Sequence, residues 1–545
     1  MLSLGSMDEN LHFLILEVVR QLERTRRYLG SPSDKTLDII LRGDDYIDHL
    51  RNIIQRKCFA HVREMEGDDR FELELLKSID LITSNLERIA DFCESIVGQF
   101  HHLSDAAAIR ELDLEANFAT IVDGLDLVES AISQRDVQKA LAICQVESRL
   151  DEVHARTFRS VLARLDRGED AQTHVTILFM SHYLERMGDS MLNIGEAILS
   201  AALGERIKID EFHALRTTME EAGAFLGDDP SDFVSLEALG ETRSGCRIDR
   251  VADPSGRMVV FKEGRTDKLL DEKRCVDLWN EKLPGYAPEI YSFQESGDSG
   301  AILFEYLPGR TFEQLLLLSD RSELDEAIVH VENALTDIWS RTREDRPVQP
   351  NFIAQLAGRM ESVYELHPSF SLGASSVGGV EVAPFDDIVR QVSRIDGLLE
   401  APFSVLGHGD LNVDNIIFDP NKRTVRFIDL HRSGQMDYVQ DVSVFLVSHC
   451  RLQVFDPAIR SRIQDVTGRV HDFAREFAVR AGDTTFPARL AAGLARSFAT
   501  SARFVLDEEF AKSLFFRARY LLEQLAALSD EEVPHYAAPE DILVD

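Results

Sequence analysis

The chain has 545 residues, more than one hydrophobic core organises, and about two to four domains are expected from size alone. A hydrophobic fraction of 44% and a charged fraction of 28% exclude a disordered polymer. A formal net charge of -36 excludes nucleic acid or an anionic membrane surface as partner, because binding phosphate-rich surfaces needs clustered Lys and Arg.

Residues Met1 to Met7 are set aside from the fold. From there to about residue 226 proline is confined to Pro32, and apolar residues recur at helical spacing. Leu75-Leu76-Ile79-Ile82-Leu86-Ile89 and Ile177-Leu178-Met180-Leu184-Met187-Met191-Ile194 are two such stripes, as expected for amphipathic helices packed in a bundle. Gly30-Ser-Pro, Glu66-Gly-Asp-Asp, His101-His-Leu-Ser-Asp and Arg167-Gly-Glu-Asp mark the turns between them.

The bundle is internally repeated. Leu86-Glu87-Arg88-Ile89-Ala90-Asp91 returns as Leu184-Glu185-Arg186-Met187-Gly188-Asp189, and each copy is preceded by an acidic pair one turn apart, Asp44 with Asp48 and Glu147 with Asp151. Each half is expected to form a three-helix unit, about 8–104 and 105–226. Carboxylates at i and i+4 share a helix face, and two such faces can enclose a hard cation, although acidic positions on helices are more often solvated or paired with Arg. His61, His154, His174 and His182 lack a second histidine at i+4 and are read as ordinary surface or core residues.

These motifs resemble the PhoU family of phosphate-uptake regulators, built from two three-helix repeats with E-R-I-x-D motifs. The second copy, Glu185-Arg-Met-Gly-Asp189-Ser-Met-Leu-Asn193-Ile-Gly-Glu196, is close; in the first, Ser95 stands where the family has Asn, so a site there is altered. The resemblance implies a metal site at Glu87, Asp91, Glu185 and Asp189 for Fe, Zn or another divalent metal. It also implies a transporter or signalling partner, and a homodimer is allowed for.

One more helix is expected over 209–226, then a linker at 227–232 around Gly227-Asp-Asp-Pro230. Strand-like alternation and frequent glycines begin there. Leu239-Gly240-Glu-Thr-Arg-Ser244-Gly245 reads either as a glycine loop over nucleotide phosphates or as a plain hairpin loop. Arg247 to Val251 and Met258 to Lys262 flank the turn sequence Asp253-Pro-Ser-Gly256 and are expected to form an antiparallel hairpin.

The most informative stretch runs from Val405 to Asp441. It places His408-Gly409-Asp410-Leu411 ahead of Asn415 and then Ile428-Asp429. Asn415-Ile-Ile-Phe and Val425-Arg-Phe-Ile read as strands joined by the turn Asp419-Pro-Asn-Lys, which would bring Asn415 and Asp429 to one end of a hairpin. Three oxygen-bearing side chains so spaced suit phosphoryl transfer from Mg-ATP, with Asp410 accepting the acceptor's hydroxyl proton and Asn415 and Asp429 holding Mg²⁺.

This stretch resembles the catalytic core of the aminoglycoside phosphotransferase and choline kinase group, H-G-D-L-x-x-x-N followed by I-D, a small-molecule branch of the protein kinase-like fold. The resemblance implies a lysine and an acidic helix partner that orient ATP. Lys262 fills the first role and Glu272 the second, with Asp271 as its rival. Phe304-Glu305-Tyr306-Leu307 resembles the hinge, with backbone near Glu305 and Leu307 meeting adenine. His408 is expected to brace the loop, and Asp441 matches a structural Asp of the family.

The kinase-like domain is expected over 233–530, with a small lobe of about 233–307 and a large lobe of about 308–530. Helices are expected over 441–454, 458–480, 488–506 and 508–528. The stretch 368–384 is expected as a surface excursion and 531–545 as an acidic tail. Asp437, Asp507, Glu508 and Glu509 are weighed as contacts for a cationic acceptor against plain solvated positions.

The fold class expected is therefore multidomain: an all-α tandem three-helix bundle followed by an α+β bilobal kinase-like domain. The function expected is an ATP- and Mg²⁺-dependent small-molecule kinase with a regulatory or metal-binding helical domain. The alternative is a non-catalytic, nucleotide-binding regulator of phosphate or metal homeostasis. Six scattered cysteines without a C-x-x-C pair are read as reduced thiols, no apolar run approaches the roughly 18 residues of a membrane span, and a cytoplasmic protein is expected.

Overall fold

A computed structural model describes residues 4–65, 69–104, 106–222, 235–241, 246–252, 257–371, 373, 375–377 and 380–544. The chain divides into two compact units, Met1–Gly264 with Ser292–Leu303 and Arg265–Tyr291 with Phe304–Asp545.

The first unit opens with the helices α1 (Leu4–Gly30), α2 (Asp34–Glu64), α3 (Arg70–Phe100), α4 (Leu114–Gln134), α5 (Val137–Leu165) and α6 (Ala171–Leu203). The expected breaks fall where Gly30, His101 and Arg167-Gly placed them; the turn between α2 and α3 includes 66–68, outside the described residues. α1 begins at Leu4, ahead of the expected start at 8. Side-chain caps satisfy the first-turn amides: Ser33 Oγ accepts from Thr36 N–H at 3.2 Å, Asp69 Oδ1 from Glu72 N–H at 3.1 Å and Asp136 Oδ1 from Lys139 N–H at 3.0 Å.

Both apolar stripes point inward. Ile82, Leu86 and Ile89 of α3 and Ile177, Met180, Met187 and Met191 of α6 are fully buried, each such side chain contributing about 1.5–3 kcal/mol by leaving water. The motif helices of the two repeats meet, and Asn193 Nδ2 donates to Asn85 Oδ1 at 3.2 Å. α5 and α6 pack closely because position 195 is glycine: a Cβ there would lie 2.8 Å from Ala140 O and press into Cys144 Sγ.

α7 (Ile209–Glu221) follows, and the expected linker at 227–232 lies outside the described residues. Strands β1 (Ser235–Glu241), β2 (Arg247–Ala252), β3 (Met258–Arg265), β4 (Ile290–Ser296) and β5 (Ser299–Glu305) form a sheet in the order β1-β2-β3-β5-β4. β2 and β3 pair antiparallel with Ile248 opposite Lys262, the hairpin expected from sequence. Within the unit, Glu211 of α7 accepts from Lys208 N–H at 2.9 Å and pairs with Arg247 of β2 at 2.5 Å. Ser292 Oγ of β4 donates to Thr218 O of α7 at 2.6 Å.

The second unit contains α8 (Thr266–Lys282), β6 (Arg310–Thr311), α9 (Phe312–Leu318), α10 (Arg321–Thr342), α11 (Phe352–Ala357) and α12 (Met360–Leu366). Then come β7 (Ser375–Val377), β8 (Val380–Val382), α13 (Phe385–Val392), β9 (Val405–Gly407), β10 (Ile416–Asp419), β11 (Thr424–Phe427) and β12 (Gly434–Met436). It closes with α14 (Val439–Cys450), α15 (Pro457–Ala481), α16 (Phe486–Ser501) and α17 (Glu508–Ala527). Its small sheets run β11-β10-β6 and β12-β9.

The core joins Trp339 to Tyr438 and Phe477, with ring centroids 5.2 and 4.9 Å away. The excursion at 368–384 contains the β7–β8 hairpin, with Ser375 opposite Val382. The segment expected as an acidic tail is packed instead. Val533 is fully buried, Cys450 Sγ donates to Leu543 O at 3.8 Å, and Arg517 donates to Val544 O at 3.1 Å. Its few apolar residues find cover that its acidic composition did not suggest. Among the described residues no helix is long and apolar enough to cross a membrane.

Candidate active site

The site grows from the β10–β11 hairpin, in register from Ile416 opposite Phe427 to Asp419 opposite Thr424. Its turn forms because Asp419 Oδ1 accepts from Asn421 N–H at 2.9 Å and Lys422 N–H at 3.3 Å, a local closure typical of Asp. At the open end, Ile428 N–H donates to Asn415 O at 3.0 Å and extends the ladder by one step. Asp429 follows immediately, in the left-handed region with φ 60°. Asn415 Nδ2 donates to Asp410 O at 2.9 Å. The backbone thus brings Asn415 and Asp429 to one end of the hairpin, and Asn415 ties in the Asp410 carbonyl.

The loop carrying Asp410 is held from behind. Buried Asp441 accepts from His408 N–H and Gly409 N–H, each at 2.8 Å, and Gln440 Nε2 donates to Gly409 O at 3.1 Å. Burial pushes the Asp441 carboxyl up, while the nearby His408 and the two amides pull it back down. His408 Nε2 lies 2.9 Å from Ile428 O and its Nδ1 accepts from Asp410 N–H at 3.3 Å. His408 thus braces the loop, with Trp279 edge-on at 6.3 Å. Gly409 has φ 82°, and a Cβ there would run into the backbone of Arg432.

Asp410 is half-buried and fully engaged. Its Oδ1 accepts from Asn412 Nδ2 at 3.0 Å and its Oδ2 from Arg432 at 2.8 Å. Arg451 in turn donates to Asn412 Oδ1 at 3.3 Å. Burial lowers the pKa of Arg359, Arg496 and Arg503, Arg496 to about 9, and each lies within the field of Asp410 and Arg432. Sequence reasoning missed this arginine group. Arg432 stood close to Asp429 in the chain, but the others lie far apart, and no spacing marks them.

The carboxylates weighed for a cationic acceptor are otherwise occupied. Asp437 is buried against Arg489, Asp507 caps α17 by accepting from Phe510 N–H at 2.7 Å, and Glu508 and Glu509 pair with Lys512 at 3.2 and 2.7 Å. Each serves the fold.

Lys262 on β3 and Glu272 on α8 are both buried, each 4% exposed. Gly240 lies in β1 beside the register shift between Ala238 and Gly240, which makes its segment a bulged strand; Gly245 is outside the described residues. The Glu305 amide donates to Glu289 O at 2.8 Å, so that N–H is not offered to a base edge. The Glu305 carboxylate pairs with Arg426 at 2.5 Å, and Leu307 is buried. Glu305 and Leu307 line a recess with Pro308, Ile417, Lys422 and Arg426.

Asn415 and Asp429 supply an amide oxygen and a carboxylate, hard donors of the kind Mg²⁺ takes, and they fit that ion. The acidic pairs of the helical bundle have different company. Glu87 pairs with Arg51 at 2.8 Å, and Arg51 also reaches Asp48 at 2.8 Å. The pKa of Asp44 is raised to about 7 by burial and by the charges of Asp91, Glu94 and Glu87. Glu185 lies 2.9 Å from His182 and Asp189 pairs with Arg186 at 2.6 Å. Among the described residues no group of three or more His, Cys, Asp or Glu side chains is arranged to hold a metal ion.

Comparison with known proteins separates the helical bundle from the region that follows it. Residues 10–99 and 118–198 match the PhoU domain, and residues 250–477 match the phosphotransferase enzyme family. A phosphate-specific transport system accessory protein PhoU homolog of Clostridium acetobutylicum is 23% identical over 221 residues, 39% of this chain and 93% of that protein. An aminoglycoside 3'-phosphotransferase of Salmonella typhimurium is 28% identical over 232 residues, 41% of this chain and 79% of that protein. The crystal structure of the phosphate transport system regulatory protein PhoU from Streptococcus pneumoniae is 18% identical with a TM-score of 0.34, over 38% of this chain and 97% of that one. The chain carries a PhoU-like helical domain followed by a small-molecule phosphotransferase-type domain of the aminoglycoside phosphotransferase kind.

Proposed function

We propose that the protein transfers the γ-phosphoryl group of Mg-ATP to a hydroxyl of a small molecule. The observation that carries this reading is the convergence of Asp410, Asn415 and Asp429 through the Asn415-to-Asp410 bond of 2.9 Å and the Ile428-to-Asn415 step of 3.0 Å. Asp410 takes the acceptor's proton, a role usually worth about 10² to 10⁴ in rate. Asn415 and Asp429 hold Mg²⁺, which would neutralise charge on the phosphates. Lys262 and Glu272 orient those phosphates, and the backbone of Glu305 to Leu307 positions adenine. The PhoU-like domain regulates the enzyme or joins it to a transporter or signalling partner in the cytoplasm.

The test is incubation of the full chain with labelled ATP, Mg²⁺ and a metabolite panel, followed by product detection. Labelled product that disappears in Asp410→Ala is the expected result; undiminished transfer in that variant removes Asp410 as the base.

A second reading, nucleotide binding without turnover in service of the PhoU-like domain, draws on one observation. Both oxygens of Asp410 are already engaged, by Asn412 at 3.0 Å and Arg432 at 2.8 Å. A base must exchange one of these bonds for the acceptor's hydroxyl. Nucleotide affinity with no transfer to any acceptor would favour this alternative.

A further inference from the structure

The arginine group around Asp410 has a consequence for the acceptor. Arg359 precedes α12, Arg432 follows Asp429, Arg451 ends α14, Arg496 lies within α16 and Arg503 lies just after it. Arg432 pairs with Asp410 at 2.8 Å, Arg451 reaches it through Asn412, and Arg496 reaches its loop through Gln440, which holds Gly409 O. α12, α16 and the turn carrying Arg503 pack against one another, so Arg359 and Arg503 share the field of the same carboxylate, in a chain whose formal net charge is -36.

The protein supplies few counter-charges there. Asp441 is committed to the amides of His408 and Gly409, and Asp410 already pairs with Arg432. Arg496 is 2% exposed, and its hydrogen bonds go to neutral groups, Gln440 Oε1 at 2.9 Å and Ser443 Oγ at 3.2 Å. The Nε atoms of Arg496 and Arg503 are buried without a hydrogen-bond partner. Arg503 lies against the Phe504 ring at 4.5 Å and Arg496 against Phe352 at 5.4 Å, contacts that orient the guanidinium planes but leave their charge uncancelled. Burying a cation without a carboxylate is costly, and an anion with planar or tetrahedral oxygens offsets that cost best.

We propose, resting on the phosphotransferase reading above, that the alcohol presented to Asp410 carries an anionic group, phosphate or carboxylate, held by Arg359, Arg496 and Arg503. Asp410 takes the hydroxyl proton as the alcohol oxygen bonds to the γ-phosphorus of ATP and the bond from that phosphorus to the ADP oxygen breaks. The proton then passes to solvent. The anionic group of the acceptor is unchanged.

The test uses the full chain, labelled ATP and acceptors that differ in charge: glycerol and ribose as neutral, glycerol 3-phosphate and ribose 5-phosphate as phosphate-bearing, glycerate and gluconate as carboxylate-bearing, and aminopropanediol and kanamycin as cationic. One anionic arm is expected to exceed the neutral and cationic arms by about tenfold or more in kcat/KM, and which arm does so separates phosphate from carboxylate. Arg359→Gln with Arg503→Gln is expected to raise KM for that acceptor by about tenfold with a smaller change in kcat, and Arg359→Lys to restore part of the loss. Inorganic phosphate serves as a probe without turnover. It is expected to raise the melting temperature of the wild type and to do so less in the double Gln variant. Transfer confined to cationic or neutral acceptors overturns the inference and leaves the phosphotransferase reading intact, and so does anionic transfer indifferent to both Gln changes. Arg-dependent phosphate binding with no transfer in any arm overturns the phosphotransferase reading and leaves the anion site standing.

Discussion

The two halves of the chain both display carboxylates in repeated, recognisable spacing, yet they treat them in opposite ways. Around the β10–β11 hairpin the acidic groups have partners that hold them in place: Asp441 takes two backbone amides, and Asp410 takes Asn412 and Arg432. In the helical bundle the acidic groups crowd one another, and burial together with the charges of Asp91, Glu94 and Glu87 raises the pKa of Asp44 to about 7. Partners fix position. Crowding leaves charge adjustable. The same residue type at similar spacing therefore signals a preorganised site in one unit and a titrating cluster in the other.

The comparison breaks most sharply at Asp410. Asp410→Asn keeps shape and removes the proposed base, and transfer of labelled phosphate should fall by about 10² to 10⁴. Next is Asp441→Ala, which leaves the amides of His408 and Gly409 buried without an acceptor. Chemical denaturation should show a loss of about 2–4 kcal/mol, accompanied by loss of transfer.

Asp44→Asn should act in the opposite direction. The folded pKa of Asp44 is raised to about 7 from an ordinary 3.8, so between these values the native state holds a proton that the unfolded chain has released. Stability from this group is present below the lower value and falls as pH rises towards the higher one. The variant should match the wild type near pH 4 and exceed it near pH 8 by about 1 kcal/mol, a figure reduced for a group that is half in water. A wild-type melting curve flat across that range would remove the crowding account. The smallest effect is expected for Arg51→Gln, which strips Glu87 and Asp48 of a partly exposed partner and should cost about 0.5–1 kcal/mol in denaturation.

Local features explain what sequence could reveal. The β10–β11 hairpin was legible because its turn, strands and candidate residues lie within one short segment, and Asp419 closes it without distant help. The bundle was legible because Ile82, Leu86 and Ile89 keep helical period and are all buried. Where partners are distant in the chain, the sequence was silent. Arg359, Arg496 and Arg503 join Asp410 only through tertiary packing, and the Glu305 amide is taken by Glu289 across two strands. Asp507 and Glu508 had the composition of a cation pocket, but one caps a helix and the other accepts from Ser369 Oγ at 2.9 Å. The acidic closing segment hid Val533, whose burial depends on what lies above it.

Helix α7 bears on any attempt to dissect the protein. It reads as the last helix of the bundle, but Glu211 anchors Arg247, whose Nε in turn pairs at 2.7 Å with buried Asp249, and the Thr218 carbonyl receives Ser292. A recombinant fragment begun at residue 233 would shed those anchors and leave β2 and β4 with raw polar ends. One begun at 208 would keep them, so the seam for cutting the chain lies before α7, upstream of the change in composition.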